Sequence, residues 1–134
     1  MPIDEPTYTH PVRHILIVDD SPIVAGAHAR TLRARGHQVE VRHSQAEGFA
    51  LLAERARFDV VVLDVDLEAP GAGFEIGRRF LARGLTKRLI FCTGTEDPRQ
   101  ALLALRLGIY VPKGTPSTMT ELITAIERDF DEAP

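Results

Sequence analysis

Tryptophan is absent, cysteine occurs once and lysine only twice. The single thiol, Cys92, excludes an internal disulfide and fits a reducing compartment. No apolar run approaches the roughly 20 residues that a membrane-spanning helix needs. Met1–Pro11 holds three prolines, two acids and no apolar core, which excludes a signal peptide. The net charge of -3 gives no ground for nucleic acid or an anionic membrane as partner. What is present is ordinary. A chain of 134 residues has room for one domain with its own core, and 44 % hydrophobic with 26 % charged residues is the composition of a globular protein.

Residues 1–12 read as a flexible leader, because Pro2, Pro6 and Pro11 break any regular element. Strands and helices then alternate. His14–Val18 is a short strand ending in Asp19-Asp20, and Ser21-Pro22 opens a helix with Val24, Ala27, His28, Thr31 and Arg35 at helical spacing. Gly36 stops it. Gln38–Arg42 alternates as a strand, and Ser44 caps a helix to about Arg57 with Phe49, Leu52, Ala53 and Ala56 inward. Val60–Leu63 is continuously apolar, the pattern of a strand buried on both faces. A Pro/Gly loop precedes a helix from about Phe74 to Arg83. Leu89–Cys92 is a fourth strand ending in Thr93-Gly94, and Asp97-Pro98 opens a helix through Leu107. Ile109–Val111 is the last strand. Ser117 or Thr118 then caps a helix with Met119, Leu122, Ile123, Ile126 and Phe130 on one stripe.

Strict βα alternation with short loops predicts a parallel sheet with helices on both faces, an α/β doubly wound sandwich. Its ligands sit at the carboxyl ends of the strands. That edge collects Asp19 and Asp20, Asp64 and Asp66, Thr93, and Lys113. Each alone is commonplace: an acidic pair often only favours a helix start, a strand-end aspartate is often a turn residue, and a lysine is usually a solvated charge. Their convergence is the signal. Clustered carboxylates need a counter-ion, and oxygen-only ligands suit Mg²⁺, a common partner of phosphate. A rigidly placed carboxylate such as Asp64 is able to attack phosphorus and form an aspartyl-phosphate. Such a transfer needs charge neutralisation on the phosphoryl oxygens, which the metal, Lys113 and the Thr93 hydroxyl would divide among them.

ILIVDDS, VVVLDVD, LIFCTG and YVPKG together resemble the response-regulator receiver family, in its chemotaxis-regulator-like single-domain form, over residues 13–130. The resemblance implies a flavodoxin-like (βα)5 fold with strand order 2-1-3-4-5. It implies Asp64 as phosphoacceptor, Asp20 and Asp64 as direct Mg²⁺ ligands, Asp19 acting partly through water and Asp66 through its backbone carbonyl. Thr93 and Lys113 would hold the phosphoryl group, and Tyr110 would be the switch aromatic. The partners implied are a histidine kinase or histidine phosphotransfer protein upstream, and a target protein or a second copy on the fourth helix, fifth strand and fifth helix. A cytoplasmic location and a non-enzymatic signalling role go with them. Residues 131–134 make a short acidic tail, and no DNA-binding segment follows Phe130.

Three departures from the family pattern carry expectations. Gly114 replaces the usual proline after the lysine, which predicts a different or looser loop at Lys113. Pro112 is tolerable because the fifth strand is an edge strand. The loop after Asp64 is a residue longer, with Glu68 near the pocket to tune access of phosphodonors or water, and Gly94 would widen the opening and speed phosphoryl loss. Two competing readings are a pseudo-receiver, a binding module without the switch, and a haloacid-dehalogenase-type phosphohydrolase. The second needs metal-binding acids after the lysine, where only Glu121, Glu127, Asp129, Asp131 and Glu132 occur.

Overall fold

The apolar runs become five parallel strands in the computed structural model, which describes residues 8–131: β1 (His14–Val18), β2 (Gln38–Arg42), β3 (Phe58–Leu63), β4 (Thr86–Thr93) and β5 (Ile109–Pro112). Between and after them run α1 (Pro22–Ala34), α2 (Gln45–Ala53), α3 (Ala72–Ala82), α4 (Pro98–Leu107) and α5 (Thr118–Glu127). The strands are all parallel, as the alternation predicts, and the sheet order is β2-β1-β3-β4-β5, the order the family resemblance implies. Side chains leave a strand on alternate faces, so the sheet feeds two cores. Leu16, Val18, Val61, Leu63, Leu89 and Phe91 pack under α2, α3 and α4. Ile15, Ile17, Val60, Val62, Ile90 and Cys92 pack under α1 and α5.

Several boundaries differ from the sequence reading, each for a local reason. The buried stripe of α1 is Ala25, Ala29 and Leu32, with Val24, His28, Thr31 and Arg35 only half-buried and Ala27 exposed. Small alanines let this helix lie close to the sheet. Helix α2 stops at Ala53 because Arg55 takes a left-handed backbone (φ 57°), and the amides of Arg55 and Ala56 turn back to Leu52 and Leu51. That is a helix-ending motif usually built on glycine. The inward residues of α2 are Gly48, Leu51 and Leu52, while Ala53 is exposed. Strand β4 begins at Thr86, three residues before its apolar run. There Arg88 is buried and donates to the carbonyls of Ala125 (2.8 Å), Arg128 (2.7 Å) and Asp129 (2.9 Å), satisfying the carboxyl end of α5.

Tyr8–Val12 also departs from expectation. The free leader expected over 1–12 is, in its described part, docked: His10 Nε2 bonds the carbonyl of Arg35 at 2.9 Å, and the Tyr8 ring covers Gly36. Residues 1–7 and 132–134, with the remainder of the expected leader and most of the expected tail, lie outside the described residues. Among the described residues no helix is long and apolar enough to cross a membrane.

Candidate functional site

Ladder bonds fix the backbone at the carboxyl edge before any side chain acts. The Asp19 amide donates to Arg42 O and the Asp64 amide to Val18 O, both at 3.0 Å. Two carboxylates are thereby carried on adjacent strand ends, and Asp20 follows directly. One carboxylate oxygen from each of Asp19, Asp20 and Asp64 falls within a 4.8 Å group. Lys113 reaches in from the end of β5, its Nζ 2.7 Å from Asp19 Oδ2 and 2.7 Å from Asp64 Oδ2. The other oxygen of Asp64 accepts the Thr93 hydroxyl and the Asp66 amide, each at 3.2 Å. The other oxygen of Asp19 accepts the Ser21 amide at 2.8 Å. Asp19 and Thr93 are buried, Asp64 and Lys113 are half-buried, and Asp20 is exposed.

Burial opposes the charge on Lys113, but its bonds to Asp19 and Asp64 outweigh that, and its pKa stands above the ordinary lysine value. Three carboxylates against one ammonium still leave a negative pocket, the donor set that a hard divalent cation takes. Behind it, burial pushes the Cys92 thiol up to about 12, which keeps it neutral and unreactive at neutral pH.

The loop at Lys113 is not loose. The Lys113 amide donates to Thr93 O at 3.0 Å, the Thr118 hydroxyl donates to Pro112 O at 2.6 Å, and the Thr115 amide donates to Thr118 Oγ1 at 3.0 Å. Gly114 turns at φ 80°, a conformation glycine takes without strain. These bonds do the placing that the missing proline does not.

The structure brings Asp19, Asp20, Asp64, Thr93 and Lys113 together and sets the other candidates around them. Asp66 is exposed, and its carboxylate accepts the Gly71 amide at 3.0 Å and Gln100 Nε2 at 3.4 Å. Glu68 sits at the rim with a left-handed backbone (φ 61°), its amide 3.5 Å from Asp20 Oδ2. Its carboxylate is turned away, accepting the Gln45 amide at 2.6 Å at the start of α2. Gly94 is exposed, and a Cβ there would meet nothing within 4 Å. Tyr110 is half-buried against the core under α4, paired in register with Phe91, and no hydrogen bond joins it to the acidic cluster.

Sequence reasoning missed two contributors. A Cβ on Gly73 would stand 2.0 Å from the carbonyl oxygen of Asp64, so only glycine lets α3 start this close to the acidic strand end. Gln45 pins the long loop from the other side, its Nε2 donating to Leu67 O at 2.8 Å. Gly73 read only as a loop glycine, and nothing in the sequence linked Gln45 to residues more than 20 positions away.

Residues 15–127 match the family model described as the response regulator receiver domain. The chain belongs to the response regulator receiver family. This receiver is 30 % identical over 116 residues to the acid tolerance regulatory protein ActR of Rhizobium meliloti (strain 1021), covering 87 % of this chain and 59 % of that one. The receiver therefore spans somewhat more than half the length of that curated relative. A CheY-like receiver domain protein from Methanospirillum hungatei JF-1 superposes with a TM-score of 0.74 at 24 % identity, over 90 % of this chain and 95 % of that one. A Burkholderia pseudomallei response regulator, solved with a phosphorylated aspartic acid, a calcium ion and citrate, gives 0.71 at 23 % identity over 88 % and 68 %. Both likenesses establish the fold. The receiver is thus a signalling domain of two-component systems, with the five-helix, 2-1-3-4-5 architecture of that family.

Proposed function

We propose that this receiver takes a phosphoryl group on Asp64 from a histidine kinase or histidine phosphotransfer protein. One observation carries the reading: the Asp64 carboxylate is held between the Thr93 hydroxyl, the Asp66 amide and the Lys113 ammonium, beside two further aspartates. An Asp64 oxygen bonds to phosphorus as the bond from phosphorus to the donor's nitrogen or oxygen breaks, and the electron pair leaves with the donor. Lys113 offsets charge on the phosphoryl oxygens, and Thr93 turns its hydroxyl toward them. Asp19, Asp20 and Asp64, with the Asp66 carbonyl, would hold Mg²⁺, which supplies the remaining positive charge. The phosphorylated aspartate and calcium ion of the Burkholderia pseudomallei relative support this assignment by likeness.

The consequence is a change of surface. Thr93 moving toward phosphate frees the space into which Tyr110 turns, and the face of α4, β5 and α5 changes for a target protein or a second copy. Leu102 (51 % exposed) and Leu105 (61 %) give that face its apolar content. Glu68 and Gly94 tune the pocket mouth. The resemblance puts the work in the cytoplasm. A phosphohydrolase is disfavoured, because Glu127, a candidate metal acid after the lysine, is bound to Arg35 and His37. The altered loop after Lys113 is the feature that would favour a pseudo-receiver, and the contact of Lys113 with Asp64 supports the receiver reading instead.

A Mg²⁺ titration followed by NMR tests the reading. Resonances of Asp19, Asp20 and Asp64 shift saturably in the native chain and lose that response in Asp20→Ala. Beryllofluoride added with Mg²⁺ then moves the α4 and β5 resonances. Metal binding with no change on that face would favour the pseudo-receiver.

A further inference from the structure

Opposite the acidic cluster, at the amino edge of the sheet, four polar side chains from three segments meet. His10 comes from the segment before β1, Arg35 and His37 from the turn between α1 and β2, and Glu127 from the end of α5. Glu127 accepts Arg35 Nε on Oε2 and Arg35 Nη2 on Oε1, both at 2.6 Å, and His37 Nε2 on Oε2 at 2.8 Å. His10 Nε2 lies 3.6 Å from that Oε2 and bonds Arg35 O at 2.9 Å.

Two histidines and a carboxylate suggest a metal site, and the hydrogen bonding argues against one. The Arg13 amide donates to His37 Nδ1 at 3.0 Å. A backbone N–H only donates, so Nδ1 is bare and the proton sits on Nε2, facing Glu127. A histidine ligates metal through its unprotonated nitrogen, and here that nitrogen is already used by Arg13. The guanidinium on Glu127 places a positive charge where an ion would go.

The same logic applies to His10. Arg35 Nη2, which only donates, is 3.2 Å from His10 Nδ1, so that nitrogen accepts and Nε2–H serves the Arg35 carbonyl. The His37 ring in this arrangement is neutral. A proton added at its Nδ1 sets N–H against the Arg13 N–H and puts a second cation beside Arg35.

We propose that this cluster is a proton-operated latch, which holds residues 8–12 on the α1–β2 turn near neutral pH and releases them in mild acid. The docked segment has the contacts for it. The Tyr8 ring occupies the space of a Cβ on Gly36 (2.5 Å away), where φ is 93°, and the His10 ring lies 5.2 Å from Tyr8 and 5.4 Å from His37. The other charges near the cluster do not replace its protons. The Arg13 guanidinium turns to Ile126 O and Arg128 O and lies 4.0 Å from the Phe130 ring centre. Arg128, on the Glu127 side, offers its carbonyl to Arg13 and Arg88.

Burial lowers the His37 pKa, and the bond and charge of Glu127 only partly offset it. Burial works against ionised Glu127, but the bonds from Arg35 and His37 prevail and hold it below the usual carboxylate range, so it stays charged in mild acid. The imidazole is therefore the titrating element. A histidine with a depressed pKa makes the latched form bind fewer protons than the released one. Latching is strongest above the ordinary histidine value of about 6.5 and weakens as pH falls below it.

NMR of the full chain from about pH 7.5 to about pH 5 tests this latch and needs no phosphoryl chemistry. The expected result is a His37 ring with its proton on Nε2 at the neutral end and a midpoint below about 6.5. Backbone resonances of residues 8–12 move with that same midpoint toward those of unstructured chain. In His37→Gln, whose amide serves both partners without titrating, they stay docked across the range. Should that variant not fold, the native titration decides alone. A His37 proton on Nδ1, residues 8–12 unmoved while His37 titrates, or Zn²⁺ shifting both rings at the neutral end would each overturn the latch.

Discussion

A methyl group on Gly73 has nowhere to go, whereas one on Gly94 meets nothing within 4 Å. The two glycines flank the same pocket, so they make a matched pair. Gly73→Ala forces the Asp64 carbonyl aside and should destabilise the fold by about 1–3 kcal/mol, the usual range for overpacking. Urea denaturation reads that cost, and phosphoryl uptake should fall with it. Gly94→Ala should leave stability unchanged within about 0.5 kcal/mol and lengthen the phosphoryl lifetime if the open mouth speeds its loss. An unchanged lifetime would remove Gly94 from the list of modulators. At this scale the acids, Thr93 and Lys113 were legible because strand ends converge on one edge in a doubly wound sheet. Gly73 and Gln45 were not, because their contribution is a distance to backbone far away in sequence.

At the scale of elements, the helices differ in what ends them. Gly36 marks the end of α1 openly, while α2 ends at Arg55, whose left-handed backbone nothing in its side chain announces. The start of β4 was equally hidden, since Thr86-Lys87-Arg88 carries no apolar signal. Arg88 explains itself only in three dimensions, as the cap of α5. Hydrogen bonds to a charged donor are worth about 1.5–3 kcal/mol each in favourable cases. Arg88→Met should therefore cost at least about 2 kcal/mol by the same denaturation measurement, chiefly by leaving α5 carbonyls without donors. On α4 the opposite holds. Leu102 and Leu105 are largely exposed, so Leu105→Glu should change stability by less than about 0.5 kcal/mol and act instead on target binding, read with the phosphorylated receiver.

For the whole molecule, both edges of the sheet are ionisable and they respond to pH in opposite senses. At the amino edge, His37 is held neutral. The stability it contributes is present above about pH 6.5 and is lost as pH falls below that, with Glu127 adding to the loss in stronger acid. At the carboxyl edge, the pKa of Lys113 is raised. Its contribution is present below the ordinary lysine value of about 10.4 and is lost as pH rises through the raised one. Thermal midpoints across pH should thus fall at both ends, and His37→Gln should flatten only the acid side. Fold class was legible at this scale because periodicity and short loops leave few topologies, and the strand order came with the family motifs. The docking of Tyr8 and His10 was not, because three prolines outweighed two side chains whose partners, Gly36 and Arg35, lie on a distant turn.

The measurement that bears most directly on the central claim is the intact mass of the protein after incubation with acetyl phosphate, with and without Mg²⁺. Native chain and Asp64→Asn are compared side by side. One added phosphoryl group is expected in the native chain, dependent on the metal and absent from the variant. A native chain that gains no mass with Mg²⁺ present, or an Asp64→Asn chain that gains the same group, would contradict it.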